Sequence, residues 1–88
     1  MGVLSINDED IEQLSIYPNP NNGLFTLDFG TQVPEDVFIS NTLGEIIFLN
    51  SQVKPIETVD LSDVAAGVYC VIYQLDGMKQ VNKLVIQQ

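Results

Sequence analysis

Histidine and tryptophan are absent from this 88-residue chain, cysteine occurs once, and only Lys54, Lys79 and Lys83 carry positive charge. Without histidine there can be no Ser/His/Asp or Cys/His catalytic arrangement, and the commonest neutral-pH base and metal ligand is gone. A single cysteine cannot form an internal disulfide, so stability has to come from packing. Cys70 lies in an apolar run, not in the exposed electropositive setting where thiolates react. A buried structural cysteine is the expectation, with an intermolecular disulfide as the alternative. No apolar run approaches the ~20 residues of a membrane-spanning helix. Met1-Gly2-Val3 lacks the basic start of a signal peptide, and acids begin at Asp8, so Met1-Gly2 reads as an expression start on an excised domain.

What is present is acid and apolar. Net charge is −9, and the first 53 residues hold eight acids and no base. Such a surface repels phosphate backbones and anionic lipid heads, which argues against nucleic-acid and electrostatic membrane binding. With 45% hydrophobic and 17% charged residues the chain is globular, not disordered. Its length makes one small domain, burying roughly 60–65% of its unfolded surface. Residues 1–12 read as an acidic linker and expression start, and 13–88 as the domain. The acids Asp8, Glu9, Asp10 and Glu12 invite a calcium reading, but EF-hand spacing and its sixth-position glycine are missing, which favours a solvated linker.

Seven short β-prone runs follow. Leu14–Tyr17 alternates and is ended by Pro18 and Pro20, which offer no N–H to a ladder. Asn21-Asn22-Gly23 supplies residues that tolerate positive φ and lets the chain turn. Leu24–Phe29 alternates cleanly, with Phe25, Leu27 and Phe29 expected inward. Runs at Val37–Ser40, Glu45–Leu49 and Ile56–Leu61 are separated by a turn at Asn41–Gly44 and a loop at Ser51–Pro55. Asp60–Gly67 reads as a corner feeding the longest run, which ends at Leu75, and Asp76-Gly77 turns the chain into a last strand, Met78–Ile86. Strands at this spacing predict an all-β, antiparallel sandwich of about seven strands, with the corner carrying the chain from one sheet to the other.

Two strands are apolar on both faces. Val68, Cys70 and Ile72 oppose Tyr69, Val71 and Tyr73, while Ile46 and Phe48 oppose Ile47 and Leu49. A two-sheet sandwich buries one face of each sheet. Either a loop covers the surplus, or it forms a docking patch through which the chain self-associates or meets a partner. The residues that could do chemistry are few. No phosphate-binding glycine loop and no Cys/His metal set appears, and the acids Glu35, Asp36, Asp60 and Asp63 sit on loops of a chain too short for a walled cleft. The expectation is a non-enzyme without cofactor or metal.

Four stretches occur in order: Ile16-Tyr17-Pro18-Asn19-Pro20-Asn21-Asn22-Gly23, Ile39-Ser40-Asn41-Thr42-Leu43-Gly44-Glu45, Val59-Asp60-Leu61-Ser62 running on to Ala66-Gly67-Val68-Tyr69, and Lys83-Leu84-Val85-Ile86. Together they resemble the type A C-terminal sorting domain of the type IX (Por) secretion system of Bacteroidetes over roughly residues 14–88. Each motif alone is weak; all four at family spacing are specific. The resemblance implies an immunoglobulin-like sandwich at the end of a larger secreted protein, passing through the periplasm and recognised by the outer-membrane translocon. A sortase-like peptidase then removes it, leaving the covalently joined upstream cargo anchored at the cell surface or released. Many members carry Lys-Lys in the final motif where this chain has Asn82-Lys83, and an apolar residue where it has Cys70.

Within that frame Lys79, Lys83, Leu84, Val85 and Ile86 are the expected partner-recognition residues. Tyr17, Pro18, Asn19, Pro20, Gly23, Gly44, Gly67 and Tyr69 are expected to be architectural. Lys79 and Lys83, four apart in a strand, share one face; the competing reading is that they only protect an edge from aggregation. The alternative function is an immunoglobulin- or fibronectin-like adhesion or carbohydrate-binding module. The immunoglobulin hallmarks are incomplete: Tyr69 directly precedes Cys70, and the second Cys and the Trp are missing.

Overall fold

The computed structural model of the chain describes residues 14–87, so the acidic linker, its calcium alternative and Gln88 lie outside the described residues. It contains seven strands: β1 (Ser15–Tyr17), β2 (Leu24–Asp28), β3 (Val37–Ser40), β4 (Ile46–Asn50), β5 (Ile56–Asp60), β6 (Gly67–Leu75) and β7 (Met78–Ile86). They form a three-stranded sheet, order β1-β2-β5, packed on a four-stranded sheet, order β4-β3-β6-β7. All strand pairs are antiparallel. The expected sandwich is therefore present, and the chain changes sheets at 29–36, at 51–55 and at the corner after β5. The nine-residue β6 lies inside its sheet, between β3 and β7.

The core follows the two-residue period. Phe25, Leu27 and Phe29 are buried from one sheet; Val37, Ile39, Tyr69, Val71, Tyr73, Leu84 and Ile86 are buried from the other. Each such side chain contributes about 1.5–3 kcal/mol of transfer free energy. Phe29 meets Tyr73 edge to face at a centroid distance of 5.4 Å, which ties the two sheets together.

β4 departs from simple alternation. Ile39 pairs with Phe48 but Ser40 pairs with Ile46, so a bulge places Ile47 as an extra residue. Ile47 and Phe48 both pack against the core, and Ile46 (59% exposed) and Leu49 (61%) both face water. The pairing of Ile46 with Phe48 on one face is thus corrected. Cys70 needs a correction too. It is half-buried on the outer face of β6, opposite Ser40 and Lys83, and its thiol is free.

The turns use the residues their geometry demands. Asp76 and Gly77 have φ of 54° and 78°, the two left-handed residues of a type I′ hairpin. Asn41 Oδ1 accepts the N–H groups of Leu43 and Glu45 at 2.9 and 3.0 Å, holding the β3–β4 turn. At the corner, the Ser62 hydroxyl and then its backbone N–H donate to Asp60 Oδ1, which holds that carboxyl below its ordinary range. The Tyr69 hydroxyl donates to the Ala65 carbonyl four residues upstream. This is the tyrosine corner of immunoglobulin-like folds, formed here without the cysteine pair or tryptophan that accompany it in antibodies.

The register fixes what lies at each end. Leu24 pairs with Asp60, Gly67 with Ile86, and Ser40 with Cys70, which in turn pairs with Lys83. The Pro-Asn-Pro turn, the β3–β4 turn, the corner and the end of β7 therefore share one end of the sandwich, here the distal end. Ser15 pairs with Asp28 at the opposite, proximal end, where buried Leu14 begins the described residues.

Candidate functional site

The two sequence-expected groups, the turn motifs and the last strand, meet at the distal end through hydrogen bonds. β7 is an edge strand, with β6 as its one neighbour in the sheet. Asn19 Nδ2 donates to the Lys83 carbonyl at 3.0 Å, and Asn19 Oδ1 accepts the Val85 N–H at 3.0 Å. One side-chain amide thus imitates a neighbouring peptide unit. The Asn21 N–H then donates to the Val85 carbonyl (3.0 Å) and the Asn21 carbonyl accepts the Gln87 N–H (2.6 Å), forming a parallel bridge opposite Ile86. Pro18 and Pro20 have no N–H to leave unpaired along this clip. Loss of the two side-chain bonds in Asn19→Ala is expected to destabilise the domain by about 1–2 kcal/mol. It should also speed hydrogen exchange at the Val85 amide, read by NMR.

Behind the clip the loop is braced on itself and on the corner. Asn21 Nδ2 donates to the Pro18 carbonyl at 2.9 Å, Asn21 Oδ1 accepts the Gly23 N–H at 2.8 Å, and the Leu61 N–H donates to the Gly23 carbonyl at 2.6 Å. Gly23 has φ +106°, and a Cβ there would lie 2.7 Å from Ser62 Cα and 2.8 Å from the Leu61 carbonyl oxygen. Positive φ within this turn is confined to Gly23, so Asn21 and Asn22 do not supply it as the sequence suggested. They serve by side-chain hydrogen bonding instead. Gly44 carries φ +88° with open space where a Cβ would stand. Gly67 opens β6 at an exposed position, Tyr69 is buried, and Tyr17 is 47% exposed.

The expected recognition residues are divided by the strand period. Lys79, Lys83 and Val85 point outward together with Val81, whereas Leu84 (0% exposed) and Ile86 (1%) belong to the core. Leu84 and Ile86 therefore cannot touch a partner in the folded domain. Val81 (54% exposed), which the sequence reading passed over, stands between the two lysines and could have been found from its i, i+2, i+4 spacing with them. It ends a row across all four strands, because Leu49 pairs with Phe38, Phe38 with Ile72 and Ile72 with Val81. The outer faces of β4 and β6 thus expose Ile46, Leu49 and Val68, with Phe38 of β3 and Ile72 of β6 half-buried between them. No described loop covers the row completely.

Near the proximal end an open groove of about 730 Å³ includes Phe38, Ile72 and Lys79 in its lining, with Glu35, Asp36 and Asp76 exposed along it. Solvated carboxylates on an open groove suit docking, not an enclosed reaction. Among the described residues no group of three or more His, Cys, Asp or Glu could hold a metal.

The architecture is an immunoglobulin-like sandwich whose motif loops brace its own final strand. The family model for the secretion-system C-terminal sorting domain (Por secretion tail) matches residues 15–87, and the chain belongs to that family. It is a sorting-signal family, not an enzyme family. Among solved structures the chain is similar in fold to PorZ of Porphyromonas gingivalis, an essential bacterial surface component of its type IX secretion system. The TM-score is 0.70 at 20% identity, covering 99% of this chain and 13% of that one. The chain thus spans about an eighth of the PorZ chain it matches. No curated protein matches it significantly.

Proposed function

We propose that this domain is the address by which a larger protein is passed across the outer membrane through the type IX translocon. A sortase-like peptidase then removes it, leaving the cargo anchored at the surface or released. Family membership supports a C-terminal sorting signal of that system. The observation that carries the finer reading is the placement of β7. Its outward face bears Lys79, Val81, Lys83 and Val85, two of the three cations of a −9 chain. It also runs from the proximal end, where cargo joins, to the braced distal end. A rigid scaffold that fixes one basic, partly apolar strand is what a receptor needs to read.

The test is a fusion of a reporter to Leu14–Gln88 carrying Lys79→Glu and Lys83→Glu. The variant is expected to keep the wild-type melting temperature within a few degrees, since exposed charges contribute little to stability, while export to the surface or medium falls sharply. Undiminished export would show that the lysines protect an edge and do nothing more.

Self-association through the outer faces of β4 and β6 is a second reading, favoured by exposed Ile46, Leu49 and Val68. It is opposed by the −9 charge that each copy brings. For the adhesion or carbohydrate-binding alternative, Tyr69 and Tyr73 are buried and only Tyr17 among the tyrosines offers an exposed ring. One ring is a poor stacking platform.

A further inference from the structure

The clip on β7 stops partway, and the part it leaves open has a definite chemistry. Lys83 C=O, Val85 N–H, Val85 C=O and Gln87 N–H point outward to Asn19 and Asn21. By the same alternation the N–H and C=O of Lys79 and Val81, and the N–H of Lys83, point outward as well. Among the described residues no bond outside the sheet reaches those five groups. β7 is the longest of the four sheet edges, at nine residues against three for β1 and five each for β4 and β5. Of the four edges it alone carries lysine.

We propose that residues 79–83 of β7 form a strand-addition site. It takes an extended, acidic segment of a partner protein, with carboxylates opposite Lys79 and Lys83 and an apolar residue opposite Val81. An edge with free N–H and C=O groups is a template for one more strand, and side-chain pairs on its face set which strand. The pattern also says what does not fit. A second copy docking antiparallel about Val81 would set Lys79 against Lys83 of its mate, a like-charge pairing that is destabilising. A basic or neutral strand forgoes both charge pairs. The added strand ends where Asn19 takes up the Lys83 carbonyl, so the clip limits the site to this window and fixes its register. The row Leu49–Phe38–Ile72–Val81 continues the apolar contact across the sheet for side chains that reach inward over the face. That the partner belongs to the export machinery rests on the reading above; the edge chemistry does not.

The probe is the capped peptide Thr-Glu-Thr-Val-Thr-Glu-Thr, titrated to millimolar concentration into the full chain while backbone amides are followed by NMR. Saturable shifts are expected at Lys79, Val81 and Lys83, with Val85 unmoved. The peptide with lysine in place of glutamate should bind about tenfold more weakly, and Lys79→Glu with Lys83→Glu should reverse that preference. Val81→Pro removes an outward N–H at a position where edge strands accept proline, so it should abolish the shifts while leaving the thermal unfolding transition intact. If Val81→Pro unfolds the domain, the charge-reversal arm decides alone. Equal binding of both peptides, shifts on β4 instead of β7, or no shifts would overturn the proposal. So would binding that appears only after residues 1–13 are removed, because the chain's own acidic segment would then be the occupant. Equal or absent binding of the two peptides, with export of the unsubstituted fusion intact, would sink this inference and leave the sorting role standing. Peptide binding with no export of any fusion would do the opposite.

Discussion

Gly23→Ala is expected to cost about 3–5 kcal/mol, a large share of what a domain of this size has to lose. Two effects add. The backbone at Gly23 is left-handed, at φ +106°, where an L side chain is disfavoured by roughly 1–2 kcal/mol. The new Cβ would also press on Ser62 Cα at 2.7 Å and the Leu61 carbonyl carbon at 2.9 Å. Those are backbone atoms of the corner, which cannot turn aside as a flexible side chain would. Relief requires the loop to separate from the corner, and that breaks the 2.6 Å bond from the Leu61 N–H to the Gly23 carbonyl. Gly44→Ala is the internal control. Its φ of +88° is similarly unfavourable, but nothing lies within 4 Å of the added carbon, so only about 1–2 kcal/mol is expected. Urea unfolding of the pair checks this, and equal losses would show that packing against the corner contributes nothing.

Leu84→Ala is expected to cost about 2–5 kcal/mol, because a fully buried leucine is replaced by a cavity between the sheets. Export of its fusion should fall as well, but for a different reason from the lysine variants. The leucine acts on the address by holding β7 against β6, where it pairs with Tyr69, itself bonded to the corner at Ala65. Lowering the temperature, or adding a compensating stabilising substitution, should restore export of Leu84→Ala in step with the folded fraction. Export by Lys79→Glu with Lys83→Glu should not respond, since that variant is folded already. The readout is export against folded fraction for each variant. If both fall on one line, recognition has no separate surface component.

Strand positions were legible because alternation, prolines and turn residues agree at nearly every point. Phe25, Leu27 and Phe29 face inward as their spacing indicates, and Asp76-Gly77 turns as its composition demands. What was hidden is long-range. That Asn19 should act as a peptide unit for a strand 64 residues later cannot be read from a Pro-Asn-Pro turn, which by local chemistry simply ends β1. The bulge in β4 was hidden too, since Ile46-Ile47-Phe48-Leu49 offers no polar residue to mark where the period slips. For the same reason Leu84 and Ile86 joined the lysines in the expected recognition set. A continuous motif in sequence is split by a strand into two faces, and only the pairing of β6 with β7 shows which half is buried. The family resemblance, carried by the order of four motifs, located the role; the register explains why those four stretches share one end.

The central claim is that the folded domain alone is a sufficient address for the type IX machinery. A periplasm-directed reporter joined to Leu14–Gln88 should be measured at the surface and in the medium of cells with and without the translocon. The account predicts export of the fusion in the first and periplasmic retention in the second. Equal export in both, or retention in both with the domain folded, would contradict it.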